Sequence, residues 1–597
     1  MIKQASHIVR RYLEAIIFRG LFNAHNSRQQ VYLLLFWTFL GLGLRLLNLD
    51  LKAPWSDEWS TLVFSLGHGF SRIPRDQLIS SQQLLQPLQL APDWHFRDVV
   101  RSLYSESNHP PLYFLLTHAW LQVLSPSTGL VSVWLGRLLS ACLGTLCIPL
   151  TFGVTWQMTR HQRVAGLAAA LMAVSPFAVY LSQEARHYTF SIIWVLLSLL
   201  CFSRALRAVH DRQPLPVAWA ISWIVVNGLG VATHFFFNAM IAGEAIALAV
   251  WGFAQAKLKP WQWQWLWSAA SRRLLWVSLG TAVSSGIWLL NRSHLTGSHL
   301  TDWLARQDVL EPPVRLAAAW LTMMILLPIE NVPEWVVSVS GSLLILFTIA
   351  ATVLTTRGLA AQLQRLQLGQ IAQALLSLLL AVLALFGLAI YGLNQDLSLA
   401  PRYQFVYFPL VIMLSAIALA TQRQQPWGRG LIAATLVLGI LGSLSVTANL
   451  AYQKSEQGDH LLAAVQTVQA QQQLPAPTIV ASTYLDHGDT GKLMNVAWAL
   501  HQLRPQPQSQ PQLQPQSQPD LSNSEQQYKF LLLEHQPETR VATEKLHQQL
   551  ATLPRPLTLW MLNFFAPHEA DQAGCEALPA EQQPDAAGYW SLLYYCP

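Results

Sequence analysis

The chain has 597 residues, 52% of them hydrophobic and only 11% charged, with 24 tryptophans and a formal net charge of +6. That balance excludes an ordinary soluble globule, in which about a quarter of the residues are charged, and its mean hydropathy of +0.31 points to a polytopic membrane protein. The positive charge gathers in loops between apolar runs, so nucleic acid is excluded as the partner it serves.

In chain order, the first 30 residues are polar and basic (Lys3, Arg10, Arg11, Arg19, Arg28) and show no cleavable signal peptide. Apolar runs of roughly 17–25 residues are long enough to cross a hydrocarbon core of about 30 Å as helices. They are predicted near 31–49, 133–157, 164–181, 188–206, 217–233, 235–254, 274–290, 336–355, 371–392, 401–421 and 431–448. Basic residues fall in alternate connections: Arg160 and Arg163, then Arg204, Arg207 and Arg212, then Lys257, Lys259, Arg272 and Arg273. Arg357 with Arg365, and Arg423 with Arg429, continue the series. The positive-inside rule places these loops and the N-terminus in the cytoplasm. About eleven spans then leave the C-terminus outside. Leu112–Leu124 and Leu316–Leu327 are too short to span and read as interfacial or re-entrant helices on the outer surface.

From residue 450 the pattern changes. Helical 459–472, a strand Thr478–Thr483, a strand Tyr528–Leu533, helical 540–552 and a strand Leu557–Phe565 predict a small α/β domain outside the membrane. The Gln/Pro-rich tract 504–519 interrupts it and has no composition for a packed core. Of five cysteines, Cys142, Cys147 and Cys201 lie in apolar runs, while Cys575 and Cys596 lie in this domain, where a disulfide and two free thiols are both open. The expected fold class is mainly α. A cytoplasmic segment covers 1–30, a transmembrane helical bundle 31–449, and an extracytoplasmic α/β domain 450–597.

The unusual polar residues concentrate in the outward connections. The first follows the first span as Pro54-Trp55-Ser56-Asp57-Glu58-Trp59-Ser60, and later carries Asn108-His109-Pro110-Pro111-Leu112-Tyr113. The others carry Ser182-Gln183-Glu184-Ala185-Arg186-His187-Tyr188, Thr233-His234-Phe235 and Ala400-Pro401-Arg402-Tyr403. Parity brings all of them to one membrane face, as a shared site requires.

In that order and at those positions, these motifs resemble the multi-spanning GT-C glycosyltransferases, in the branch of protein O-mannosyltransferases and lipid A aminoarabinose transferases. The resemblance covers roughly residues 30–450. It implies transfer of a sugar from a polyprenyl-phosphate carrier to an acceptor on the extracytoplasmic face of the plasma (inner) membrane. One departure is visible: the acid that precedes the family's Lys-Pro-Pro segment corresponds to Asn108, and the lysine to His109. A metal site built on that acid is therefore in doubt. No cofactor is required, and a divalent metal stays open with His109, Glu58 and His234 as candidate ligands.

The chemistry can also be argued from the residues alone. Inverting transfer needs a base for the acceptor hydroxyl, for which Asp57 is the candidate, with Glu58 and Glu184 as supporting carboxylates. The leaving lipid phosphate needs cations, and Arg186 and Arg402 can pair with its oxygens bidentately. His109, Tyr188, His234 and Tyr403 are expected to line the site. Structural roles compete with these: Ser56-Asp57 also suits a helix start, Glu184 and Arg186 a local ion pair, and His234 a hydrogen-bonded span end. The expected partners are a lipid-linked sugar donor, the bilayer, and an acceptor that is a lipid, a polysaccharide or a protein. The rival class is a transporter or flippase of lipid-linked sugars, for which Arg45 and Glu244 inside apolar runs are the supporting residues.

Overall fold

The computed structural model describes residues 27–91, 94–211, 213–256, 269–290, 302–306, 308–357, 359–365, 367–503, 527–536, 538–567, 569–584 and 588–597. The N-terminal segment to residue 26, Arg212, Lys257, Lys259 and the 504–519 tract lie outside the described residues.

A helix forms at every predicted span. They are Ser27–Leu46, Val133–Thr159, Gln162–Val174 with Pro176–Ser182, Tyr188–His210, Val217–Thr233, Phe237–Ala256, Ala269–Leu290, Glu334–Thr356, Gly369–Gly387, Phe408–Thr421 and Gly428–Thr447. By length and composition, 5 described helices are long and apolar enough to cross a membrane, or 6 if the bent pair is one span. That pair bends by 55° at Ser175-Pro176. Proline lacks the N–H needed to continue the first helix but suits the first turn of the next. The Ser175 hydroxyl caps that turn by accepting from the Ala178 N–H at 3.1 Å. The run expected from residue 401 opens as a 3-10 turn, Pro401–Val406, and becomes α-helical only at Phe408. Leu112–Leu124 and Glu311–Met324 are helices of 13 and 14 residues, rising about 20 Å each and so too short to cross.

Beyond the bundle lies a six-stranded mixed sheet of order β1-β3-β2-β4-β6-β5. Its strands are β1 (Leu78–Ile79), β2 (Thr478–Tyr484), β3 (Tyr528–Glu534), β4 (Leu557–Leu562), β5 (Glu576–Ala577) and β6 (Ser591–Cys596). β2 runs parallel to β3 and β4, and the outer pairings are antiparallel. The strand expected over Leu557–Phe565 ends at Leu562, where Asn563 takes a positive φ. Cys575 and Cys596 form a disulfide.

The sheet is not built from the C-terminal segment alone. β1 comes from the first long loop and pairs with Phe530 and Leu531 of β3. Trp59, Leu62, Phe64, Leu103 and Phe114 of that loop share one apolar core with Leu493, Val496, Phe530 and Trp560. Residues some 400 positions apart therefore fold as one body over the bundle, and this contact positions the site.

Candidate active site

Helix Ser56–Ser65 begins at Trp55, which gives no side-chain cap. The cap comes from afar: Glu456 accepts from the Ser56 N–H at 3.1 Å and from its hydroxyl at 3.0 Å. Asp57 and Glu58 occupy the positive first turn, where carboxylates are favoured. Neighbouring helix positions point about 100° apart, so the two acids diverge.

Glu58 turns inward and is 0% exposed. Arg137 Nε and Nη2 each donate to one of its oxygens at 2.8 Å, and the Ala185 N–H donates at 2.8 Å. Burial works against its ionisation, but Arg137, Lys454 and these hydrogen bonds outweigh that and hold the carboxyl at about 2. Glu184 is buried too and is bonded by Lys454. Neither acid borders the cavity described next, so the structure sets these two expected carboxylates behind its wall.

Asp57 faces a cavity of about 690 Å³, bordered also by Trp55, Asn108, His109, Arg186, Tyr188, His234, Trp303, Arg402 and Tyr403. Its side chain is 31% exposed, with Arg186 at 3.3 Å and Arg402 at 3.7 Å from the same oxygen. Arg186 also donates to the Asp57 carbonyl and the Thr61 hydroxyl, each at 3.0 Å, and meets His109 Nε2 at 3.3 Å. Arg402 lies over the Trp55 ring at 4.7 Å and the Trp303 ring at 5.5 Å. Burial would raise the Asp57 carboxyl, but Arg186 and Arg402, with His487 and Lys454, hold it below the usual aspartate value. The Nε atoms of Arg186 and Arg402 are buried donors without a partner among the described residues, so each guanidinium has spare capacity for an anion.

Burial, then His109 and the two arginines, push His234 well below the ordinary imidazole range; His187 behaves alike, with His234 the foremost of its neighbours. Burial thus favours the neutral imidazole in both, and the arginines are the cations placed to meet negative charge. Of the candidate metal ligands, Glu58 has its oxygens taken by Arg137, and His109 meets Ser107 and the Arg186 cation. Among the described residues no group of three or more His, Cys, Asp and Glu could hold a metal ion. Glu58, His109 and His234 are thus not gathered into such a group.

The far wall was not legible in the sequence. It is made by Ser455, Glu456, Asp486, His487, Asp489, Lys492 and His535, most of them around the start of helix His487–Gln502. Asp486 and Asp489 form a capping box there, which was a readable signal for that helix start. Arg137, a charge inside an apolar run, was also a signal; Lys454 and Glu456 offered none. A Cβ added to Gly491 would stand 2.9 Å from Ser56 Cβ and 3.0 Å from its Cα. Gly491→Ala is therefore expected to displace the Asp57 turn and lower turnover without unfolding the protein. A kcat equal to wild type would contradict that.

Arg45 and Glu244, the residues that favoured a transporter, lie away from the cavity. Arg45 donates to Ser182 and to the carbonyls of Gly41, Met172 and Ala173, bracing the 55° bend. Glu244 accepts from the Ser198 hydroxyl at 2.9 Å.

No family model matches the sequence, and no curated protein does. Among solved structures the chain is similar to ArnT from Cupriavidus metallidurans in the apo state, at 10% identity and a TM-score of 0.48, covering 94% of this chain and 97% of that one. For ArnT bound to undecaprenyl phosphate the figures are 11%, 0.48, 94% and 98%. For the Archaeoglobus fulgidus oligosaccharyltransferase in complex with Zn and sulfate they are 14%, 0.38, 78% and 61%.

Proposed function

We propose that the protein is a GT-C-type membrane glycosyltransferase that moves a sugar from a polyprenyl-phosphate donor to an acceptor on the extracytoplasmic face. The observation that carries this reading is the pair of guanidiniums, Arg186 and Arg402, converging on one Asp57 oxygen in an aromatic-walled cavity. A carboxylate held between two arginines with spare donors is a base beside an anion site. When a lipid phosphate takes up those donors, its negative charge opposes the depression of the Asp57 carboxyl and strengthens the base.

In the reaction the acceptor oxygen attacks the anomeric carbon while its proton passes to Asp57. The carbon–oxygen bond to phosphate breaks, and its electron pair leaves with the lipid phosphate, whose charge Arg186 and Arg402 meet. His109, Tyr188, His234 and Tyr403 border the sugar; Glu58 and Glu184 support Asp57 and Arg186 from behind. The first outer loop and its short helices border a lateral groove for the polyprenyl chain. In this reading the N-terminus is cytoplasmic, and the site and sheet domain are extracytoplasmic, at the plasma membrane. The acceptor class stays a lipid, a polysaccharide or a protein.

Arg402→Gln removes one phosphate contact, worth about 1.5–3 kcal/mol for a hydrogen bond to a charged group. The donor KM should rise about tenfold or more. The change is measured with polyprenyl-phosphate sugar in detergent micelles, and an unchanged donor KM would sink the phosphate assignment.

A further inference from the structure

The chain leaves its last membrane helix at Thr447 and, before the first helix of the sheet domain, passes directly behind Asp57. Lys52 of the first loop fixes the start of this strap by donating to the Ala451 carbonyl at 3.2 Å and the Tyr452 carbonyl at 2.9 Å. Two residues on, Lys454 is bonded to Glu184 and lies 3.8 Å from Glu58. Glu456 then accepts both bonds from Ser56. The strap thus grips Ser56 and Glu58, the two chain neighbours of Asp57, with opposite charges two residues apart.

The grip is anchored on the sheet domain. Asn495 of helix His487–Gln502 donates to Glu456 at 3.0 Å, and its oxygen accepts from the Trp59 indole at 2.5 Å. Asn495 also bonds the Tyr589 hydroxyl at 2.8 Å. Next to that tyrosine, a Cβ on Gly588 would fall 1.8 Å from the Ser455 carbonyl oxygen. Bare backbone therefore backs the strap from behind, and the Glu456 end of the grip is tied to the sheet domain.

We propose that Lys454 and Glu456 are positioning residues that hold Asp57 in its catalytic orientation, and that through this strap the sheet domain sets the geometry of the base. The inference rests on Asp57 being that base. It assigns the domain a mechanical part in turnover rather than the part of a mere cover.

The charged and titratable groups that face Asp57 are Arg186 from the turn before helix Tyr188–His210, Arg402 from the 3-10 turn, and the imidazoles of His487 and His234, both pushed by burial below their ordinary range. Lys454 and Glu456 add the strap's contribution, and Glu58 lies beside it on its own helix. Asp57 acts as a base only when ionised, so activity falls as pH drops through its folded-state value. Removing the Lys454 cation raises that value and moves the acid limb up. Burial, with the charge of Asp57 adding to it, raises the Glu456 carboxyl against the pull of Lys492 and the Ser56 bonds. As pH falls Glu456 therefore takes up its proton before Asp57 does, so replacing it by Gln leaves the acid limb in place.

The test uses the purified full-length protein with polyprenyl-phosphate sugar at saturation, comparing Lys454→Met, Lys454→Arg and Glu456→Gln across pH. Turnover should fall about ten- to a hundredfold in the Met and Gln variants, as expected for a misplaced base, with the donor KM within about twofold of wild type. The acid limb should shift upward in Lys454→Met and stay in place in Glu456→Gln, and Lys454→Arg should restore turnover. Glu456→Gln keeps the shape of the side chain, so its loss of turnover at an unchanged donor KM decides the matter even if Lys454→Met does not fold. An unmoved limb in Lys454→Met, or wild-type turnover in Glu456→Gln, would overturn the clamp while leaving the glycosyltransferase reading intact. Absence of transfer by the wild type would instead overturn that reading.

Discussion

Asp57→Asn is expected to lower sugar transfer by about 10²–10⁴-fold, the usual contribution of a positioned proton acceptor, in a protein that still folds and binds donor lipid. The asparagine keeps the size of the side chain and the backbone carbonyl that accepts from Arg186. What it loses is the charge between Arg186 and Arg402. Both guanidiniums then meet the donor phosphate without competition, so the donor KM should hold or fall while kcat collapses. That split separates a missing base from a damaged site, which would raise KM as well. Transfer by Asp57→Asn at the wild-type rate would remove Asp57 from the mechanism.

Arg137→Met should be the most destabilising of the single changes considered. Arg137 and Glu58 are 1% and 0% exposed, joined by two bonds of 2.8 Å, and Arg137 also donates to the Leu49 and Lys52 carbonyls. Removing one partner of a buried pair typically costs about 3–5 kcal/mol, because the other charge is left without compensation. Here Lys454, 3.8 Å from Glu58, recovers only part of it. Replacing both partners with apolar residues should therefore cost less than Arg137→Met alone. The measurement is the thermal midpoint of purified protein in micelles for wild type, Arg137→Met, and Glu58→Leu with Arg137→Met. Equal midpoints for wild type and Arg137→Met would contradict a structural role for this pair.

Much of the architecture was legible because a bilayer constrains sequence strongly. Runs such as 217–233 must satisfy every backbone group within a helix, and the helix Val217–Thr233 has those limits. The polar residues between the apolar runs were legible for a related reason: in a chain with so few charges, Asp57, Arg186 and Arg402 stand out. What composition could not reveal is which way each side chain turns. Asp57 and Glu58 are adjacent and chemically alike, yet one borders the cavity and the other is locked to Arg137, a difference set by the phase of one helix. The far wall was hidden for another reason. Glu456 and Lys454 act on Ser56 and Glu58 across nearly 400 residues of sequence, and no local periodicity encodes such a contact. Likewise β1, two residues from the first loop, has no strand signal of its own and forms only because β3 offers an edge.

A transferase site breaks a bond, whereas a transporter site moves its ligand intact. The most direct measurement uses purified protein in vesicles containing polyprenyl-phosphate sugar labelled in the sugar, with the wild type and Asp57→Asn side by side. The wild type is expected to transfer label off the lipid to an added acceptor hydroxyl, or to release it to water, and Asp57→Asn to retain it on the lipid. Label that crosses the bilayer while staying on its carrier, equally in both proteins, would contradict the account and establish a transporter.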